Sequence, residues 1–160
     1  MKSIRLKTFI EAPIERVFDL ARSIDAHMAG MESSGEIAVS GKTSGLIGLN
    51  ETVTWEAKHL GFKQRLSVKI TAFDRPHFFA DEMTRGAFAS MKHRHDFEAQ
   101  DEGTLMKDCF EFSAPLGIVG RIAEFCFLET YMKNLLVHRN SELKQLAESD
   151  NWTSFLPYDG

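Results

Sequence analysis

Residues 88–112 read FASMKHRHDFEAQDEGTLMKDCFEF, and the alternation within them decides the fold. From about Phe88 to Ala99, one side of an extended chain carries Met91, His93, His95 and Phe97, and the other carries Lys92, Arg94, Asp96 and Glu98. That two-residue period belongs to a strand. Gln100-Asp101-Glu102-Gly103 closes a tight hairpin into a last strand from Thr104 to Phe112. Four charged groups on one face must meet water, so both histidines point to the core side, where an ionisable ring needs a partner or a cavity. If Ala99 opposes Thr104, antiparallel counting puts His95 across from Asp108 and His93 across from Phe110. Directly opposed side chains lie ~4.5–5.5 Å apart at Cβ, close enough for a hydrogen bond that fixes the imidazole tautomer.

Working back from this hairpin, no helical period is visible as far as Ser44. Val53, Trp55 and Ala57 alternate with polar neighbours, as do Leu66, Val68 and Ile70, giving two half-buried strands joined at His59-Leu60-Gly61. Asp74-Arg75-Pro76 breaks the chain before a strand from about His77 to Thr84, and Gly86 opens the next turn. Nearer the start, Ser3 to Glu11 reads as an opening strand with Ile4, Leu6 and, after a shift, Phe9 on its apolar side. Pro13 then begins a short helix with Ile14, Val17, Phe18 and Ala21 at helical spacing, and Ser23 or Asp25 caps a second one. From His27 to Gly41, three glycines with Met28 and Met31 among them read as a mobile loop. A Met-lined lid is its functional reading, and an ordinary surface loop is the simpler one.

Working forward, Pro115-Leu116-Gly117 ends the sheet, and residues 118–148 hold no proline and only Gly120, so one long helix is expected. Ile118, Ile122, Phe125, Glu129, Met132, Leu136, Arg139 and Leu143 form a stripe at three- and four-residue steps, interrupted by Glu129. The aromatic tail at 149–160, with Trp152, Phe155 and Tyr158, is expected to pack back on the body. With no repeat or linker, residues 1–160 read as one domain.

The bulk composition narrows the function classes. The chain is 43% hydrophobic and 26% charged, with thirteen Phe and seven Met against two Trp and two Tyr, an apolar set with few polar handles. A net charge of −4 gives no attraction for phosphates, which excludes nucleic acid as an expected partner. Cys109 and Cys126 have no CxxC spacing and read as buried free thiols. No stretch approaches the ~20 apolar residues of a membrane span, and the first residues do not read as an export signal, so a cytoplasmic location is expected.

Strand, two short helices, antiparallel meander and long terminal helix follow one another as in the START and polyketide cyclase superfamily (SRPBCC). Ala12-Pro13 followed by Glu15, Val17 and Phe18, the His93/His95/Phe97 strand, Gly103-Thr104, Asp108 and Pro115-Leu116-Gly117 occur in matching order over nearly the whole chain. It most resembles small stand-alone bacterial members. The resemblance implies an α+β helix-grip fold, a curved antiparallel sheet of about seven strands wrapped around the C-terminal helix, with an apolar ligand cavity between them.

The site must be argued on its own residues. Trp55, Val68, His93, His95, Asp108, Phe110, Phe125, Glu129, Met132 and Leu136 are expected to line the cavity, with His95 and Asp108 the candidate catalytic pair. Glu51 and Asp81 are weaker inner-face candidates, Asp81 because Phe78 competes with Phe79 for the core. His93 and His95 share a face as metal ligands do, but no third ligand is evident, so neither metal nor cofactor is expected. The leading reading is a non-catalytic binder of a small or medium hydrophobic ligand, a monomer or homodimer. One alternative is a cyclase-, dehydratase- or hydrolase-type enzyme using the His-Asp pair as general base. Another is a regulatory module docking through its aromatic tail.

Overall fold

A computed structural model of the chain describes residues 1–114 and 122–158, the side chains of residues 122–126 excepted. Its strands are β1 (Lys2–Ile10), β2 (Ile37–Gly41), β3 (Thr52–His59), β4 (Phe62–Asp74), β5 (Phe78–Arg85), β6 (Ser90–Gln100) and β7 (Gly103–Ser113). Its helices are α1 (Ile14–Ala21), α2 (Ile24–Gly30) and α3 (Ile122–Glu148). All seven strands form one antiparallel sheet in the order β1-β7-β6-β5-β4-β3-β2. β2 to β7 are a meander, while α1 and α2 carry the chain from the β1 edge to the β2 edge. With α3 packed against this sheet, the architecture is the α+β helix-grip fold expected from the sequence. No helix among the described residues is long and apolar enough to cross a membrane.

The β6–β7 hairpin has the expected register. Gln100 opposes Gly103, which brings Ala99 against Thr104, His95 against Asp108 and His93 against Phe110. The β3–β4 turn is tight for a backbone reason: Leu60 and Gly61 both take positive φ, 54° and 82°, the two-residue geometry whose twist matches the strands it joins.

Two local expectations are corrected. In β1 the inward positions run Ile4, Leu6, Thr8 and Ile10 without a shift, and Phe9 faces outward, 37% exposed. Thr8 takes the inner place because its hydroxyl accepts a hydrogen bond from Asn140 Nδ2 at 3.4 Å. The stretch from His27 to Gly41 is not a loop. α2 runs to Gly30, a 3-10 turn spans Glu32–Ser34, and β2 pairs with β3 at the sheet edge. Ile37 and Val39 of this strand are exposed, so no buried face marked it in the sequence. Met31 is buried in the core, not placed on a lid.

Much of the phenylalanine is committed to solid packing. Phe18 of α1 meets Phe73, Phe79 and Phe97 edge-on at ring centroid distances of 5.4, 5.4 and 5.2 Å. In β5, Phe79 takes the core position and Phe78 the outer face, where the Arg94 guanidinium lies 4.2 Å above its ring. Beside Phe18, the buried Asp19 carboxylate accepts hydrogen bonds from Arg22 Nε (2.8 Å), Arg75 Nη2 (2.7 Å) and the Tyr158 hydroxyl (2.7 Å). The tail thus does fold back: Trp152 is buried, with the Arg16 guanidinium 4.1 Å from its ring centroid. Cys109 is half-buried, not buried as expected. The Pro115-Leu116-Gly117 corner, Ile118 and the Cys126 side chain lie outside the described residues.

Candidate functional site

Sheet curvature leaves space between the strands and α3. Register shifts in β4 between Ser67 and Val68 and between Ile70 and Ala72 bend the strand where it faces the helix. An inner chamber of about 130 Å³ lies there, walled by Val53, Trp55, Val68, Phe110, Met132 and Leu136 among others. A second chamber of about 270 Å³ adjoins it and shares Glu36, Trp55, Leu66, Met132 and Leu135 with it. It reaches the exposed residues Leu60, Arg65 and Ala87, so it faces outward beside the β3–β4 turn.

Polar groups enter these chambers at few points. His27 of α2 hydrogen-bonds through Nε2 to Glu36 at 2.7 Å, and its ring lies tilted against Trp55 at a centroid distance of 4.2 Å. Burial pushes His27 below its ordinary pKa against the pull of Glu36. Burial likewise raises Glu36, but His27 outweighs it and holds the carboxyl below its ordinary value. Tyr131 of α3 hydrogen-bonds to His59 Nδ1 at 2.7 Å across the outer chamber. Arg139 of α3 lines the inner chamber and forms no salt bridge among the described residues.

Trp55, Val68, Phe110, Met132 and Leu136 stand at the chamber walls where the sequence suggested. His93, His95 and Asp108 do not. They form a sealed layer behind the wall, because Phe79 stacks on His95 at 4.5 Å and Phe110 packs edge-on to His93 at 5.3 Å. Glu129 also lies outside the chambers: it pairs with Lys2 of β1 at 2.8 Å, since its turn of α3 faces the sheet edge. The Phe125 side chain falls outside the described residues. Glu51 is exposed, its carboxylate accepting the Gly48 N–H at 2.9 Å.

The sealed layer is a connected polar network. His93 Nε2–H and His95 Nδ1–H both donate to Asp108 Oδ1, at 2.9 and 2.8 Å, and Asn140 Nδ2 of α3 donates to Oδ2 at 2.7 Å. Burial raises Asp108, but the two histidines outweigh it and hold the carboxyl well below its usual range. Burial and the neighbouring His95 push His93 down to about 4. In His95, burial is overcome by Asp108 and Asp81, and its pKa is raised. Asp81, on the inner face of β5, is the member of this group that reaches the chamber. Burial raises its pKa, but His95, His93 and Arg139 together hold it below the ordinary value. Asn140 was missed from the sequence, although a polar residue four places after Leu136 on the buried side of α3 is a readable signal.

The comparisons with known proteins agree with this fold. The family model described as polyketide cyclase / dehydrase and lipid transport matches residues 1–148. A protein from Thermus thermophilus superposes with TM-score 0.73 and 19% identity, covering 90% of this chain and 95% of its own. The ginseng major latex-like protein 151 from Panax ginseng gives TM-score 0.65 and 13% identity, covering 92% and 98%. The Aha1 dimer from Colwellia psychrerythraea gives TM-score 0.65 and 12% identity over 92% and 97%. At these identities the structural likeness is one of fold. None of the curated proteins matches the chain. Because the family match runs from β1 to the last turn of α3, the chain belongs to the polyketide cyclase / dehydrase and lipid transport family within the SRPBCC superfamily.

Proposed function

We propose that this chain is one domain that binds a small or medium hydrophobic molecule in the two chambers between the sheet and α3. The observation that carries this reading is the pair of adjoining spaces, about 130 and about 270 Å³, with Trp55, Leu66 and Met132 in the shared wall. Taken together they reach the range of ~300–1,000 Å³ typical of small-molecule sites. Affinity comes from apolar burial at ~25 cal/mol per Å², and orientation from Glu36, Tyr131 and Arg139. The net charge of −4 supports a role without nucleic acid.

The enzyme reading, with His95 and Asp108 as proton-moving pair, requires a ring nitrogen to reach the ligand, and Phe79 and Phe110 stand between. Docking through the tail draws no support either, because Trp152 and Tyr158 are engaged on the body.

The test is titration with the apolar dye anilinonaphthalene sulfonate, with native mass spectrometry of the chain purified without detergent. Saturable one-to-one binding is expected, and Met132→Trp, which fills the shared wall, is expected to weaken it at least about tenfold, or ~1.4 kcal/mol. Absence of saturable binding, or equal binding by the variant, would overturn the reading.

A further inference from the structure

Among the described residues, the network behind the chamber wall contains one fully buried polar atom without a hydrogen bond. His95 is 2% exposed, its Nδ1–H is used on Asp108, and its Nε2 is buried without a hydrogen bond. An orphaned buried nitrogen calls for an explanation. Nε2 faces Asp81 Oδ2 at 3.7 Å, too long for a hydrogen bond. Asp81 has no shorter polar contact among the described residues, so its carboxylate is able to turn. One nitrogen of His93 completes the group: the three donor atoms lie within 4.8 Å of one another.

We propose that Asp81, His93 and His95 are the protein ligands of a divalent transition-metal ion of the zinc class. Two imidazoles and one carboxylate are the donor set such ions take, with bonds of about 2.0–2.2 Å and donors some 3–3.5 Å apart. The 3.7 Å span between His95 and Asp81 is already close to that, and rotation of Asp81 narrows the rest. The support around the histidines is the kind that metal sites need. Each donates a ring N–H to Asp108, which fixes its orientation, and Asn140 holds the other Asp108 oxygen. With Nδ1–H donated to Asp108, the neutral ring of His95 presents the Nε2 lone pair to the ion; in any protonated fraction the Nε2 proton leaves to solvent as the ion binds. Asp81 lines the inner chamber, so its carboxylate marks the side from which the ion enters, while Phe79 and Phe110 keep the histidines off the chamber. No third ligand is evident in the sequence because the β5–β6 register, which sets Asp81 directly opposite His93 on the neighbouring strand, is not fixed by a short turn.

The test uses the full chain stripped with a chelator and titrated with Zn2+ and with Co2+. One ion per chain is expected, with a Kd below about 10 µM, a raised Tm, and visible Co2+ absorption bands. Asp81→Asn is expected to weaken binding at least about tenfold, while substitution of the exposed His138 by Ala leaves it unchanged. In the unsubstituted protein, imidazole 15N spectra are expected to show the His95 Nε2 and His93 signals shifting on Zn2+ addition, a readout that does not depend on the variant folding. Absence of stoichiometric binding, binding indifferent to Asp81→Asn, or unmoved imidazole signals would overturn the proposal. None of these outcomes bears on dye binding by the chambers.

Discussion

Asp19 shows how one buried side chain can join a local partner to two distant parts of the chain. It sits in α1, yet its three partners come from the end of α1, the β4–β5 turn and the tail. Burial raises its pKa, but hydrogen bonds from Arg75, Tyr158 and Arg22 outweigh this and hold it below the ordinary 3.8. A carboxyl whose folded pKa is depressed contributes stability that is full above its unfolded pKa and is lost as pH falls through the folded one. Asp19→Asn is therefore expected to cost about 1–3 kcal/mol at pH 7. That difference from the unsubstituted protein should shrink below about pH 4 in urea melts taken across the acid range. At this scale the sequence was legible where partners are set by local counting. The His95–Asp108 pairing followed from a two-residue period and one turn. Asp19 and Asn140 were not legible, because Arg75 and Tyr158 for the one and Asp108 for the other arrive from elements fixed only by tertiary packing.

Among the elements, β2 marks the limit of pattern reading. An edge strand with exposed Ile37 and Val39 buries no face of its own, so alternation carries no message, and three glycines nearby suggest a loop. Its last residue, Gly41, has φ of 75°, and a Cβ there would overlap the Thr52 carbonyl oxygen. Gly41→Ala is expected to cost about 1–3 kcal/mol. Hydrogen exchange should show the Ile37–Gly41 amides losing protection in this variant while the β6–β7 amides keep theirs; uniform loss would contradict this placement of the strain. In α3 the helical period located the element, but not its rotation. The stripe caught Met132, Leu136 and Leu143 on the inner side but ran through Glu129, which pairs outward with Lys2, and passed over the buried Asn140 and Ala147. Charged residues with long stems blur that boundary, since they border buried surface while reaching water.

Across the whole molecule, the sheet divides its duties. The Phe18 cluster packs under α1, whereas Val53, Trp55, Leu66 and Val68 of β3 and β4 face the inner chamber under α3, with Phe79 at the border of the two. Composition showed the wealth of phenylalanine without showing this partition. Phe18→Ala is expected to cost about 3–5 kcal/mol in denaturant melts and to leave dye affinity unchanged under conditions where the variant remains folded. Lost dye binding in folded Phe18→Ala would mean that the two halves are coupled. The strand order has a further consequence in time. β1 pairs with β7, about 100 residues later in the chain. At synthesis rates of about 5–20 residues per second, β1 leaves the ribosome roughly 5–20 s before its partner exists. Over that interval it is an unsatisfied strand edge, and Arg5 and Lys7, alternating with its apolar side chains, supply the charge that discourages wrong pairing.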